Sequence, residues 1–552
     1  MNRKHKNIHL KFSLLTIAAF GLATISASAQ LMDGQKKLTR ADSLRGTLSP
    51  ERTCFDVKFY HLNIKVDPKA ETVAGYNDIS LEAENDFKRI QIDLFENMKV
   101  DSITWKGQQL NYSREYNAVF INFPETITKG SNQTLRFYYS GKPIVAARAP
   151  WDGGFIWKKD AAGSDWVGVA CQGTGASLWW PNKDHQSDEP DSMMISVAVP
   201  SDLMDVSNGR LRKKEDLGNG FTRYDWFVSN PINNYDVTIN IANYKHFSDK
   251  INKLDLDYYV LPENLEKAKK QFQQVKPMIT CFEKYFGDYP FTSDGYKLVD
   301  THYLGMEHQS AVAYGNKYTN GYLGRDLYGS GIQLRFDYII IHESGHEWFG
   351  NSVTAKDIAD MWIHEAFTSY AEAVYVECMY GHNDYLKYVN SFKTRVLNDG
   401  PIIGPYGVNQ EGSADMYPKG ALMLSTIRSI IDNDAVWFSI LKGIPIDFRH
   451  KTTSTDEIIT YMNRKTGMDL TKVFYQYLKY AHIPELQLKK EGNATLYRWK
   501  ADVPGFDMPV KIDTGKGWQL IKPGSEWKRL ENIQPSAIKF ATDLYYFNVS
   551  RQ

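Results

Sequence analysis

Two histidines and a glutamate in the middle of the chain have the types and spacing of a hydrolytic zinc centre. They stand in the run His342-Glu343-Ser344-Gly345-His346. Residues i and i+4 share one face of a helix, so both imidazoles reach a single ion at about 2.0–2.1 Å. Glu343 then lies beside the ion rather than on it, which is the position of a general base that acts on water.

Glu365 is the candidate for the third protein ligand that a catalytic zinc site needs. Eighteen residues separate it from His346, and residues 361–380 have the pattern of a second helix that returns antiparallel to the first. Glu372 lies seven positions further on, on the same helical face. It is either an acceptor that orients a ligand histidine or a surface carboxylate. We therefore predict ligation of zinc by His342, His346 and Glu365.

The alternative interpretation of the two histidines is an exposed pair on an amphipathic helix. The apolar run Phe336–Ile341 comes directly before His342. A helix that continues this run is buried, and unpaired imidazoles and carboxylates are costly to bury. The sequence therefore favours a metal site.

The elements that hold these residues follow from the periodicity of the chain. Residues 51–248 read as short strands separated by turns, which predicts an antiparallel sandwich or a large open sheet. The clearest strands are Asp56–Val66, Tyr76–Glu82, Leu135–Tyr139 and Ser192–Val199. Helical spacing begins near Pro262, with a helix over Glu263–Phe286 that ends near Gly287, and it dominates to about residue 480. Short strands return after Pro484.

At 552 residues the chain is too long for one hydrophobic core. We expect an α+β multidomain fold with an N-terminal antiparallel β domain over residues 30–255. This domain is followed by an α-rich catalytic domain over 256–485 and by a small C-terminal β module over 486–552.

The first 29 residues have the three parts of a secretory signal peptide. Four basic residues, the last of them Lys11, precede an apolar run from Phe12 to about Ile25, and Ala27-Ser28-Ala29 follows as a cleavage site. The alternative is an uncleaved anchor helix, for which the apolar run is short. We expect an exported protein, periplasmic in bacteria or extracellular, with no stable membrane span after cleavage.

Charge and cysteine content exclude several classes of function. Residues 1–29 hold four basic and no acidic residues, so their removal changes the net charge from +0 to −4. A chain without a basic block is a poor partner for nucleic acid. The four cysteines are far apart, which argues against a disulfide scaffold and a thiolate zinc site, although one bridge remains open.

These residues resemble the M1 family of zinc aminopeptidases, the gluzincins that include aminopeptidase N. The similarity covers roughly residues 50–490, and its most specific part runs from His342 to Thr354 and from Trp362 to Glu372. The resemblance implies a thermolysin-like catalytic domain, one zinc ion per chain, and peptide substrates with a free N-terminus.

Two further motifs of the family occur in the expected order, and a third stretch that resembles the family lies upstream of them. Leu304-Gly305-Met306-Glu307-His308 resembles the GxMEN motif, which implies that Glu307 holds the substrate's α-ammonium group and that Gly305 lines the cleft. Tyr417-Pro418-Lys419-Gly420 resembles the segment whose tyrosine stabilises the transition state. Gln172 matches a β-domain glutamine that lines the first specificity pocket. Independently of the family, Pro418 suits the first position of a helix, which makes Tyr417 its cap residue.

The sequence departs from the family's usual pattern at a few positions. Leu304 and His308 replace the commoner Gly and Asn of the exopeptidase motif, and His364 and Ala366 flank Glu365 where Asn and Gly are frequent. All metal-binding groups are kept, so these changes bear on substrate preference rather than on the reaction.

The sequence as a whole predicts a zinc-dependent aminopeptidase. Zinc activates a water, Glu343 takes its proton, and the Tyr417 hydroxyl stabilises the oxyanion. One alternative is a thermolysin-like zinc endopeptidase, against which Glu307 argues. The other is a non-catalytic peptide-binding surface protein, against which the complete site argues.

Overall fold

The computed structural model describes residues 38–551. These residues form one compact unit. The predicted signal peptide, residues 1–29, lies outside the described residues and stays a prediction. No helix among residues 38–551 is long and apolar enough to cross a membrane.

The N-terminal part is built on an eight-stranded sheet. The predicted strands occur in it at nearly the predicted bounds. In spatial order the strands are Arg210–Asp216, Phe221–Val228, Ser192–Pro200, Phe55–Asp67, Thr72–Ala83, Asn132–Gly141, Met98–Trp105 and Gln108–Gln109. Ser192–Pro200 pairs in parallel with Phe55–Asp67, and the other neighbouring pairs are antiparallel.

Two smaller sheets complete this part and bury its core. One sheet contains Phe87–Asp93, Ala118–Ile127 and Asn111–Glu115; the other contains Met204–Ser207, Ile239–Ala242, Asp165–Ala170 and Gly154–Lys159. Their apolar side chains join those of the large sheet in one buried cluster. Gln172 lies two residues after the strand Asp165–Ala170, next to Cys171, which belongs to this core and helps to fix its position.

A five-stranded sheet lies between the β part and the helices. Its strands in order are Lys245–Ile251, Leu254–Val260, Tyr296–Asp300, Val312–Tyr314 and Gly305–Met306. The last three fall in the region where the sequence indicated mainly helices. They are two to five residues long and buried throughout, so they lack the polar–apolar alternation by which a strand is recognised.

Helices make up most of the region from residue 262 to 480. The described α-helices are Arg40–Gly46, Pro50–Thr53, Leu265–Gln271, Val275–Phe286, Tyr338–Gly345, Trp362–Tyr380, His382–Ser391, Pro418–Ile431, Asp434–Asp447, Thr455–Thr466 and Thr471–Lys479. The predicted helix over Glu263–Phe286 is confirmed as two segments joined by a 3-10 turn, and it ends at Gly287, whose φ is 89°.

The C-terminal part returns to strands, as expected. A four-stranded sheet contains Lys528–Leu530, Ala494–Lys500, Glu485–Glu491 and Asn548–Arg551, and a three-stranded sheet contains Trp518–Ile521, Val510–Asp513 and Lys539–Phe540. A further parallel pair joins Val353–Ala355 to Lys451–Thr453. Leu486, Trp499 and Val510 of these strands belong to the same buried cluster as the apolar residues of the helices. The multidomain α+β class is confirmed, whereas the exact domain boundaries stay predictions.

One disulfide links two helices of the catalytic region. Cys281 in Val275–Phe286 is bonded to Cys378 in Trp362–Tyr380. Cys54 and Cys171 are buried free thiols. The structure therefore contains the single disulfide for which the sequence left room.

Candidate metal and peptide-binding site

The helix Tyr338–Gly345, here called the histidine helix, carries the first ligand candidate. Asp337 caps its N-terminus, because its side chain accepts hydrogen bonds from the backbone N–H groups of Ile339 and Ile340. The helix is buried along its whole length. Its apolar residues fix its position in the core, and His342 lies on its last turn.

His346 follows the last residue of the histidine helix and keeps a helical backbone. The chain then leaves the helix through Gly350, whose φ is 134°, a conformation that side chains disfavour. A Cβ atom at Gly350 would lie 3.0 Å from His346 Nδ1. The turn brings the Phe349 carbonyl oxygen within 3.0 Å of that same nitrogen.

The helix Trp362–Tyr380, here called the glutamate helix, supplies the third ligand candidate from its first turn. Glu365 Oε2 lies 3.4 Å from His346 Nε2 and 3.7 Å from His342 Nε2. One ligand atom from each of the three residues falls within 4.8 Å of the other two, and all three side chains are buried. The structure thus brings the three predicted ligands together.

The donor set fits a zinc ion. Two ligands of a tetrahedral zinc at 2.0–2.1 Å are about 3.3 Å apart, close to the separations between Glu365 and the two imidazoles. Among residues 38–551, Glu365 Oε2 has no hydrogen-bond partner although it is buried, which is costly unless a cation occupies the space that it faces. Burial acts to raise the pKa of Glu365, but the two imidazoles outweigh it and hold that pKa well below its usual range.

The other nitrogen of each ring is held by an acceptor. His346 Nδ1 faces the carbonyl oxygen of Phe349, which only accepts, so the ring proton is on Nδ1 and Nε2 is free for a metal. His342 Nδ1 lies 2.7 Å from Glu372 Oε1. Glu372 is fully buried, which decides between its two predicted roles: it orients His342 and is not a surface carboxylate.

Glu343 lies beside the three ligand candidates and is not one of them. Burial raises the pKa of its carboxyl to about 7, although the neighbouring imidazoles oppose that rise. A base with a pKa near neutral pH suits proton transfer at that pH. Gly305 packs directly against it: a Cβ atom there would lie 2.8 Å from Glu343 Oε1 and 2.9 Å from Ile339 Cγ2.

Tyr417 is the residue before the helix Pro418–Ile431, with Pro418 in the first turn, as the sequence predicted. Its ring stacks on that of His342 with centroids 6.2 Å apart. Burial, together with the nearby charge of Glu365, raises the pKa of Tyr417 well above its usual value. The phenol therefore stays protonated and remains a hydrogen-bond donor towards the ligand cluster.

Glu307 lies close to both Glu343 and His346 and is almost fully buried. Its Oε1 accepts hydrogen bonds from Gln172 Nε2 at 2.5 Å and from the Tyr235 hydroxyl at 3.2 Å. Burial raises the pKa of the Glu307 carboxyl, and the neighbouring His346 imidazole partly offsets the rise. Gln172, predicted only from the family motif, thus contacts Glu307 directly.

Two further residues of this region carried no signal in the sequence. Tyr235 lies within the 3-10 turn Asn234–Asp236 of the β part and is one of 34 tyrosines. Glu411 lies in the loop before Tyr417, and its Oε1 is 3.0 Å from the position of a Cβ atom at Gly173. Burial raises the pKa of Glu411 to about 7. The contacts of Tyr235 with Glu307 and of Glu411 with Gly173 join segments that are far apart in the chain. Residue spacing alone does not predict such contacts.

Comparison with known proteins shows which families and chains this protein is similar to. The chain matches the Peptidase family M1 domain over residues 270–477. It is similar to probable aminopeptidase 2 of Sulfurisphaera tokodaii, with 20% identity over 79% of this chain and 55% of that protein. It is 23% identical to endoplasmic reticulum aminopeptidase 1 of Mus musculus over 60% of this chain and 36% of that protein. The chain thus spans about half the length, or less, of these relatives.

Solved structures share the fold. The M1 zinc metallopeptidase from Deinococcus radiodurans has a TM-score of 0.64 and 20% identity, over 78% of this chain and 94% of that chain. A mutant of the metallopeptidase bound to a Tyr-Ser-Ala substrate is matched over 79% of this chain and 97% of that chain.

The described residues thus have a multidomain α+β fold that is shared with solved M1 zinc metallopeptidases, and they bring two histidines and a glutamate together where one metal ion fits. Within this fold, residues 270–477 are the part that is similar to the Peptidase family M1 domain.

Proposed function

We propose that this protein is a zinc-dependent aminopeptidase that hydrolyses the N-terminal peptide bond of peptides. One observation carries the proposal: one ligand atom from each of Glu307, Glu343 and His346 lies within 4.8 Å of the others. An α-ammonium group bound to Glu307 brings the first peptide carbonyl next to Glu343 and the metal ligands. The aminopeptidase names of the two relatives support the same reaction class.

His342, His346 and Glu365 would hold the ion. When bound, Zn²⁺ supplies Lewis acidity, which lowers the pKa of water from 15.7 towards about 7. Glu343 accepts the proton of the attacking water and then delivers it to the leaving amine. Its pKa of about 7 leaves it able to do both near neutral pH.

Tyr417 stabilises the negative charge that develops on the carbonyl oxygen. Its hydroxyl is kept protonated, so it donates a hydrogen bond to that oxygen from the His342 side of the cleft. One preorganised donor of this kind contributes about 3–4 kcal/mol to transition-state stabilisation.

Glu307 restricts the reaction to chain ends. An internal peptide bond brings no ammonium group, so its binding would leave a buried carboxylate without a cationic partner. Gln172 fixes the orientation of that carboxylate through its hydrogen bond to Oε1. These contacts support an exopeptidase over a thermolysin-like endopeptidase.

The test is an assay of aminoacyl-naphthylamides beside the same compounds N-acetylated, with and without a chelator. We expect rapid, chelator-sensitive cleavage of the free amines and negligible cleavage of the blocked forms. Efficient cleavage of N-acetylated substrates would support the endopeptidase instead. Unchanged cleavage after complete removal of the metal would overturn the zinc mechanism.

We also propose that the protein is exported after cleavage near residue 29. The Cys281–Cys378 disulfide supports this location, because such bonds persist in oxidising compartments. N-terminal sequencing of the protein from the periplasm and the medium tests it. An intact N-terminus in the cytoplasmic fraction alone would contradict export.

A further inference from the structure

A line of buried polar groups runs from the glutamate helix to Glu307. The backbone N–H of Ala355 lies 2.8 Å from His364 Nε2. His364 Nδ1 lies 3.4 Å from the Tyr235 hydroxyl, and that hydroxyl lies 3.2 Å from Glu307 Oε1. His364, Tyr235 and Glu307 are all at most 4% exposed. The line joins the residue next to the ligand Glu365 to the carboxylate proposed to hold the substrate amine.

The direction of every hydrogen bond in this line follows from its first member. A backbone N–H only donates, so His364 Nε2 must accept and carries no proton. An imidazole without a proton on Nε2 carries it on Nδ1, so Nδ1–H donates to the Tyr235 oxygen. The single hydroxyl proton of Tyr235 is then available only to Glu307 Oε1. The opposite direction would require an imidazole with no proton at all.

The consequence concerns the orientation of Glu307. Its Oε1 receives two donors, the Tyr235 hydroxyl and the Gln172 amide. Donors to a carboxylate stabilise its charged form and fix its rotation. With Oε1 held in this way, the second oxygen, Oε2, is the one presented to a ligand.

We propose that Tyr235 and His364 are positioning residues for the amine site: His364 orients the Tyr235 hydroxyl, which holds Glu307 with Oε2 directed at the substrate's α-ammonium group. This inference rests on the proposed aminopeptidase function. It also gives a role to His364, at which the chain departs from the commoner asparagine of its family. Neither residue touches the reacting atoms, so both act through Glu307.

The test compares two ligands that differ only in the amine. L-Leucine hydroxamate and its des-amino analogue both bind the metal through the hydroxamate, and only the first brings an ammonium group. Isothermal titration calorimetry on the zinc-loaded protein gives the ratio of their Kd values without requiring turnover. We expect the wild type to bind the amine form at least tenfold more tightly. Equal affinities in the wild type would contradict the proposed amine site itself.

Tyr235→Phe tests the hydrogen bond from the Tyr235 hydroxyl to Glu307. Because a hydrogen bond to a charged group is lost, we expect the preference for the amine ligand, given by the ratio of the two Kd values, to be about tenfold smaller than in the wild type. The affinity for the des-amino ligand should be unchanged. Tyr224→Phe is the matched control, since it removes a buried hydroxyl of the same β part that donates to the Leu203 carbonyl. A Tyr235→Phe protein that keeps the wild-type ratio would overturn the proposal.

Two substitutions of His364 separate its two nitrogens. An asparagine places its amide nitrogen where Nδ1 lies, so His364→Asn keeps a donor for Tyr235. A glutamine places its amide oxygen near the position of Nε2, so His364→Gln keeps the contact with Ala355 and loses that donor. We expect the ratio to stay within about twofold for Asn and to fall severalfold for Gln. Equal losses in both variants, at equal zinc content, would show that His364 is only structural.

Discussion

Glu372 meets His342 on the side of the ring that faces away from the ligand cluster, with Oε1 2.7 Å from Nδ1. Its other oxygen accepts a hydrogen bond of 2.6 Å from the Tyr388 hydroxyl. Glu372 is two helical turns after Glu365 on the same helix, so one helix both supplies a metal ligand and orients another. A carboxylate in this position raises the basicity of the imidazole and fixes its tautomer.

Glu372→Gln should weaken zinc binding without abolishing the fold. The amide keeps the size of the side chain but removes the negative charge beside His342, and loss of such a partner typically costs 10- to 100-fold in metal affinity. Competition with a chelator of known zinc affinity measures the change. Glu377→Gln on the same helix is the control, because Glu377 pairs with Arg428 away from the site. Equal zinc affinities in wild type and Glu372→Gln would contradict the role of Glu372.

The local part of the site was predictable from the sequence, and the non-local part was not. The spacing of His342 and His346 and the return to Glu365 follow from helical geometry, and the structure brings the three together. Gln172 and Tyr235 meet Glu307 across 135 and 72 residues. Which residues meet at such separations is decided by the packing of the sheets. Only the family motif pointed to Gln172, and nothing pointed to Tyr235.

The fold shows the same division. Strands with one exposed face, such as Thr72–Ala83, alternate between polar and apolar residues and were recognised. Tyr296–Asp300 is buried on both faces, so its pattern does not distinguish strand from helix. The parallel pairing of Ser192–Pro200 with Phe55–Asp67 joins segments more than a hundred residues apart, and no local rule specifies it.

Glu343→Gln should retain zinc and lose turnover. The amide keeps the volume beside Gly305 but cannot accept a proton, and general-base catalysis contributes about 10²- to 10⁴-fold. Metal analysis and kcat on an aminoacyl-naphthylamide, measured on the same preparation, separate binding from chemistry. Turnover within a factor of a few of the wild type would remove Glu343 from the proposed role.

Tyr417→Phe should lower kcat by about 10²- to 10³-fold and leave KM nearly unchanged, because the hydroxyl acts on charge that develops only in the transition state. Tyr406→Phe is a matched control from the same loop region. Its hydroxyl is bonded to Asp360 and its side chain is exposed. An effect of Tyr417→Phe confined to KM would indicate substrate binding instead of oxyanion stabilisation.

Gly305→Ala should displace the general base without disturbing the metal. The new Cβ would lie 2.8 Å from Glu343 Oε1, too close for a normal contact, so the carboxylate must move. A shift of about 1 Å in a catalytic group costs on the order of 10²-fold in rate. We expect a large loss of kcat at unchanged zinc content, whereas Gly524→Ala, with open space around it, should be silent. Wild-type kcat in Gly305→Ala would show that the contact is not needed.

His308 makes the fold sensitive to acid. Its side chain is fully buried, and neither ring nitrogen has a hydrogen-bond partner in the part of the chain that the structure describes; burial lowers its pKa to about 3. The unfolded chain keeps a histidine pKa near 6.5, so between these values the unfolded state binds more protons and stability falls as pH falls. The stabilisation is complete above pH 6.5, and at pH 5 the loss reaches about 2 kcal/mol.

Urea unfolding of wild type and His308→Leu at pH 7 and pH 5 measures this loss of stability, because leucine does not titrate and both proteins share every other titrating group. The two proteins should therefore differ by about 2 kcal/mol in how much stability they lose between the two pH values, and parallel losses would mean that the His308 imidazole is not held neutral by burial.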